Sequence, residues 1–175
     1  MKSPQKFPVR ARVLTVAAVA VIGAGTFGAV SATAASPAPK GFTQTTHLTV
    51  ESAAEAAKAA LAAAKKDGQK VSVAVVDRNG NTLVTLRGDG AGPQSYESAE
   101  RKAFTAVSWN APTSELVKRL QQAPNLKDIP GTLFLPGGAP VQAQGAPVAG
   151  IGVAGAPSGD LDEKYARAGV AELGK

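Results

Sequence analysis

The pattern of apolar and polar positions divides the chain into one long apolar run and a series of short, alternating segments. Residues 13–35 carry no charge and read V-L-T-V-A-A-V-A-V-I-G-A-G-T-F-G-A-V-S-A-T-A-A. After a Pro- and Ser-containing stretch, V-E-S-A-A-E-A-A-K-A-A-L-A-A-A-K-K repeats alanine at helical spacing. Thr49 predicts its N-cap, Glu51 and Glu55 stand early, Lys58, Lys65 and Lys66 late, and Gly68 marks its end. V-S-V-A-V-V-D (71–77) and N-T-L-V-T-L-R (81–87) read as strands, with Asn79-Gly80 predicting a type I′ hairpin turn. Ser95 is expected to cap a second helix running to Trp109, where Pro112 interrupts the pattern. Thr113 is then expected to cap a short third helix, S-E-L-V-K-R-L-Q-Q, with a loop over 123–130. Strands follow near Thr132–Leu135, Val141–Gln144 and Val148–Val153. Asp160, Asp162 and Glu163 open a last helix ending near Leu173. The order αββααβββα predicts an α/β (α+β) domain: a five-stranded antiparallel sheet with helices packed on it.

The front of the chain changes the charge picture. Lys2, Lys6, Arg10 and Arg12 precede the apolar run, and Ala32-Thr33-Ala34 supplies small residues at both recognition positions of a cleavage site. A basic start, an apolar middle and a small-x-small ending predict a secretory signal peptide over 1–34, hence a secreted, extracellular protein. A single membrane span is the competing reading, weakened by the many Ala and Gly residues in the run. Residues 35–47 read as a flexible leader and 48–175 as one domain. The net charge of +6 falls once residues 1–34 are removed, because four cations and no anion leave with them. What remains is 15 Lys and Arg against 13 Asp and Glu, too balanced for the basic stripe that nucleic-acid binding needs. The absence of cysteine excludes disulfides, thiol catalysis and Cys-based metal sites. A single histidine, His47, leaves Ser-His-Asp catalysis without a well-placed base.

Four features carry candidate chemistry. Glu97 and Glu100 lie three apart on the second helix, as do Asp160 and Glu163 on the last. Such pairs put two oxygen donors on one helical face, suited to surface iron or another hard cation, or to plain solvation with Glu97 and Arg101 paired. Gly150-Ile151-Gly152-Val153-Ala154-Gly155 spells G-x-G-x-x-G, but inside a last strand with no parallel strand to come. A dinucleotide fingerprint needs a strand, a turn and a helix. These glycines are instead expected to let another backbone or a flat ligand approach closely. At Trp109-Asn110-Ala111-Pro112-Thr113-Ser114, an indole, a hydroxyl and free amides meet at a helix start, where Thr113 serves either its own cap or a ligand.

Four blocks, taken together and in order, resemble a known family: V-S-V-A-V-V-D-R-N-G-N-T-L-V-T-L-R-G-D-G-A, A-E-R-K-A-F-T-A-V-S-W-N-A-P-T-S-E-L, P-G-T-L-F-L-P-G-G-A-P-V and V-A-G-I-G-V-A-G-A-P-S-G-D-L-D-E-K-Y-A-R-A-G. They cover essentially 48–173 and are similar to the GlcG/HbpS family. The resemblance implies a small profilin/PAS-like fold related to a domain of PduO-type corrinoid proteins. It also implies an extracellular, haem-binding, redox- and iron-responsive protein with possible haem-degrading activity. Such a protein would assemble as a homo-oligomer, an octamer, and modulate a membrane sensor kinase of a two-component system. The glycolate-associated relatives imply an alternative, a binding module for small organic acids. The resemblance sets haem, the expected cofactor, near Ala111-Pro112-Thr113, with Thr113 as the iron-side oxygen beside Trp109. Tyr96 and Tyr165 are the other oxygen donors, because His, Cys and Met ligands are scarce. Arg101, Lys102, Lys118 and Arg119 flank the same break as cations for the propionates.

Overall fold

A computed structural model of the protein describes residues 40–175. The expected signal peptide, 1–34, lies outside the described residues. Among them no helix is long and apolar enough to cross a membrane.

Helix α1 (Val50–Lys66) begins and ends where the residue types require. The Thr49 hydroxyl accepts the Ser52 amide at 3.2 Å. At the other end Gly68 takes φ +70°, and the amides of Gly68 and Gln69 bond back to Lys65 and Ala64. That Schellman closure satisfies carbonyls the helix would otherwise leave bare. Its alanine face (Ala53, Ala56, Ala57, Ala60, Ala64) is completely buried. Strands β1 (Ser72–Asp77) and β2 (Thr82–Arg87) form the expected hairpin, but not through a type I′ turn. Such a turn needs positive φ at both central residues, and only Gly80 has it, at +88°. The Asp77 carboxylate organises the turn instead, accepting the amides of Asn79 and Asn81 at 2.8 Å each. The pairing slips by one residue beyond Val75.

Helix α2 (Ser95–Trp109) follows, then α3 (Thr113–Arg119) and a 3₁₀ turn over Pro124–Asp128 within the expected loop. The caps differ from expectation. Ser95 and Thr113 are the first helical residues, behind Gln94 and Pro112, and neither hydroxyl caps its helix. Both are turned into the fold: Ser95 Oγ meets Gly92 O and Ser72 Oγ, and Thr113 Oγ1 meets Gly138. Strands β3 (Gly138–Ala143) and β4 (Ala146–Ala154) and helix α4 (Gly159–Glu172), capped by Ser158, complete the chain.

The sheet has four antiparallel strands in the order β2-β1-β4-β3, not five. The expected strand at Thr132–Leu135 is irregular. Its side chains have a better use elsewhere: Phe134 is buried with Ala111 and Leu116, and the Leu133 amide bonds to Thr105 Oγ1 at 2.8 Å. Pro136 then denies the segment a ladder donor.

Central β1 is buried on both faces. Val73, Val75, Ile151 and Val153 join the core under α1 and α4, while Ala74, Val76 and Ala154 face α2. Gly150 and Gly152 bear out the close-approach reading of G-x-G-x-x-G. A Cβ at Gly150 would sit 2.2 Å from the Ala103 carbonyl oxygen, and one at Gly152 only 2.0 Å from that of Ala99. The motif is where α2 lies directly on β4.

Candidate functional site

The break between α2 and α3 is made by two backbone choices. Asn110 closes α2 in the left-handed region, φ 49°, which its short polar side chain tolerates. Pro112, the residue before α3, has no amide hydrogen with which to continue the ladder of α2. The free start of α3 is covered by Glu163 of α4, whose carboxylate accepts the Ser114 amide at 3.0 Å and its hydroxyl at 2.8 Å. Arg167 adds a third bond, also 2.8 Å. Burial tends to raise the Glu163 carboxyl, but these donors together hold it below the ordinary glutamate range. Trp109 packs edge-on to Phe134, ring centres 5.2 Å apart. Beside the break, Pro112, Ala139, Pro140, Arg167, Val170 and Ala171 line a shallow groove of about 340 Å³.

The residues expected to form one site differ in exposure and in partners. Thr113 is fully buried, its hydroxyl accepting the Gly138 amide at 2.8 Å. Trp109 and Pro112 are half-buried, and Lys118 and Arg119 are exposed, making no ion pair among the described residues. Arg101 is exposed and paired with Glu97. Glu100 accepts the Thr85 hydroxyl at 3.0 Å, so the two glutamates have different partners. Among the described residues no three His, Asp or Glu side chains gather as metal ligands. Tyr96 is exposed; Tyr165 is fully buried and donates to Asp67 at 3.0 Å.

Lys102 is the largest departure, because it is not a free surface cation. Its ammonium is buried against Asp162 at 2.8 Å and the Val153 carbonyl at 3.1 Å. Burial raises the Asp162 carboxyl above the ordinary aspartate range, opposed by Lys102 and by the amides of Ala156 and Gly155. Pro136-Gly137-Gly138 passes over this pair. A Cβ at Gly137 would lie 2.7 Å from the Lys102 ammonium nitrogen, and one at Gly138 only 2.4 Å from the Lys102 carbonyl oxygen. The glycines of P-G-G are therefore steric requirements. Sequence reading missed the Lys102–Asp162 and Ser114–Glu163 contacts because they join residues 60 and 49 positions apart. No local period reports such a pairing.

Tested against a porphyrin, the groove fits in part. Pro112, Ala139, Pro140 and Val170 supply apolar surface and Arg167 a cation, while Lys118 and Arg119 are exposed on α3 and do not line it. The Thr113 hydroxyl does not fit an iron ligand in this conformation, being buried and committed to Gly138.

Residues 48–171 match the model of a family described as haem degrading protein HbpS-like. No curated protein matches the chain. Among solved structures, a double mutant of Streptomyces reticuli HbpS is similar at 79% identity and TM-score 0.77, covering 81% of this chain and 99% of that one. The Klebsiella pneumoniae protein ORFY is similar at 26% identity and TM-score 0.71, covering 79% and 98%. A PduOC:heme complex is similar at 26% identity and TM-score 0.67, covering 73% and 95%. With the family model spanning most of the chain and the fold shared over nearly all of the HbpS structure, the protein belongs to the HbpS-like family.

Proposed function

We propose that the chain is an extracellular haem-binding protein that responds to redox state and iron and modulates a membrane sensor kinase. The observation that carries the reading is the family match over 48–171, described as haem-degrading. It is supported by a relative of the same fold solved with haem. The Pro112–Arg167 groove beside the α2–α3 break is the proposed seat of the macrocycle, with Arg167 facing its propionates. Bound haem would supply a redox-active iron. What the chain's own residues do is provide apolar surface, a cation and an oxygen. Thr113 is the proposed iron-side oxygen, which it can offer only after its bond to Gly138 opens and α3 lifts from β3.

Titrating the protein with hemin tests this directly. Binding shifts and sharpens the Soret band to saturation; an unchanged hemin spectrum overturns the reading. The haem-degrading step is read in the same sample, as iron released to a ferrous chelator when peroxide is added. Export predicts a secreted form beginning at Ala35, read by mass spectrometry of the culture medium. Kinase modulation predicts that the isolated extracellular sensor domain binds haem-loaded and haem-free protein with different affinities. Self-assembly is proposed on the two edge strands of the sheet, β2 and β3, whose outer edges pair with no strand among the described residues.

A further inference from the structure

We propose that the pocket between the end of α1 and the loop after β2 binds a phosphate group, carried by a small hydroxylated phosphomonoester. The pocket, about 360 Å³, is lined among others by Leu61 and Lys65 of α1, Gln69 and Lys70 just after it, and Arg87 and Asp89 at the end of β2. That volume lies at the lower end of the roughly 300–1,000 Å³ of small-molecule sites. The sheet register brings the two segments together: Ser72 pairs with Arg87, and the Gly88 amide bonds to the Val71 carbonyl at 2.9 Å. The pocket shares no lining residue with the Pro112–Arg167 groove.

Charge decides what the pocket takes. Lys65, Lys70 and Arg87 set three cations around it against one anion, Asp89, and none of the four makes an ion pair among the described residues. Acids nearby in the chain are spent elsewhere: Asp67 holds Lys164 and the Tyr165 hydroxyl, and Glu55 holds Lys58. The carbonyls at the end of α1 do not compete for the cations either, since those of Ala64 and Lys65 accept the amides of Gln69 and Gly68. Two of the cations are held in place. The Arg87 guanidinium donates to the Ala91 carbonyl at 2.7 Å, which engages one of its five N–H donors. The Lys70 stem lies on Gly90, where a Cβ would come within 2.9 Å of its Cδ and 3.3 Å of its ammonium nitrogen. Like charges gathered around one pocket repel each other, and an anion that bridges them relieves the repulsion. A planar, singly charged carboxylate is satisfied by one guanidinium. Cations on three segments suit a phosphate monoester better, because it carries close to two negative charges at neutral pH and three acceptor oxygens. Asp89 repels a bare anion but accepts from a hydroxyl on the same ligand. The Gln69 side-chain oxygen offers a second acceptor, its nitrogen being taken by the Asp67 carbonyl.

Full-length protein labelled with ¹⁵N, titrated with glycerol phosphate, inorganic phosphate, glycerol and acetate, tests the pocket without reference to haem. Saturable shifts are expected at the amides of Gly68, Gln69, Lys70, Gly88 and Asp89 with both phosphates, and with neither glycerol nor acetate. Glycerol phosphate is expected to bind more tightly than inorganic phosphate; the reverse order would overturn the ester. Lys70→Gln and Arg87→Gln, both at exposed positions, are each expected to weaken glycerol phosphate by at least about tenfold, ~1.4 kcal/mol. Lys127→Gln removes the same charge from an exposed position outside the pocket and is expected to leave the affinity unchanged. Hemin added to the complex is expected to leave the shifts in place. No saturable shift with either phosphate, acetate binding as tightly as phosphate, full affinity in both pocket variants, an equal loss in Lys127→Gln, or displacement by hemin would each overturn the proposal.

Discussion

Single atoms decide several positions here. At Gly152 the added carbon of an alanine would stand 2.0 Å from the Ala99 carbonyl oxygen, a backbone atom that moves only if α2 moves. Gly152→Ala is expected to destabilise the fold by about 3 kcal/mol, at the upper end for overpacking, read as a lower denaturant midpoint. Gly68→Ala, where no atom lies within 4 Å, is strained only by its positive φ and should cost about 1 kcal/mol. Thr113→Val is nearly isosteric but leaves the buried Gly138 amide without its acceptor, an expected loss of about 1–3 kcal/mol. Thr113→Ser keeps the oxygen and should retain both that stability and the hemin Soret shift. If Val binds hemin as well as Ser does, Thr113 is not the iron-side oxygen.

At the scale of elements, α1 was legible almost to the residue, because its cap, its charge gradient and its glycine stop are local. Thr49→Ala is expected to lower stability by about 1 kcal/mol through the lost Ser52 bond. Helix α3 is different. Only seven residues long, it depends on Glu163 from α4. The Glu163 carboxyl is held below its ordinary value, so its contribution is present above the unfolded-state pKa of about 4.3. It is lost as pH falls through the lower folded value. Glu163→Gln should therefore destabilise the protein near neutrality by about 2 kcal/mol. The two stability curves should converge in acid, which urea melts between neutral and acidic pH would follow. A constant gap at every pH would mean that the carboxylate charge is not what holds α3. The expected strand at 132–135 shows the limit of a pattern: T-L-F-L suits a strand, but Phe134 gains more from the Trp109 cluster than from a sheet edge.

For the whole molecule, two buried arrangements respond to acid in opposite senses. Asp77 and Glu163 are stabilised as carboxylates by their donors and lose that support on protonation. Burial raises Asp162, so protonation there relieves part of a penalty while the Lys102 pair is weakened. The net expectation is acid destabilisation, since the first two act together. Removing one partner of the buried pair is the severe case: Asp162→Asn should cost about 3–5 kcal/mol by leaving an unpaired ammonium. A broadened or multi-step melt in that variant would place the pair at the joint between α2 and α4.

Local chemistry determined most of the elements, the alanine face of α1, the break at Pro112 and the close approach at G-x-G-x-x-G. Each depends on neighbours a few residues away or on the shape of a single side chain. Block resemblance also indicated the family. The tertiary structure alone decided that the sheet has four strands, that Thr113 points inward, and that Lys102 meets Asp162 instead of solvent. Those outcomes depend on which distant surfaces exclude water from each other, and an ammonium buried beside a carboxylate has the same sequence pattern as one in solution.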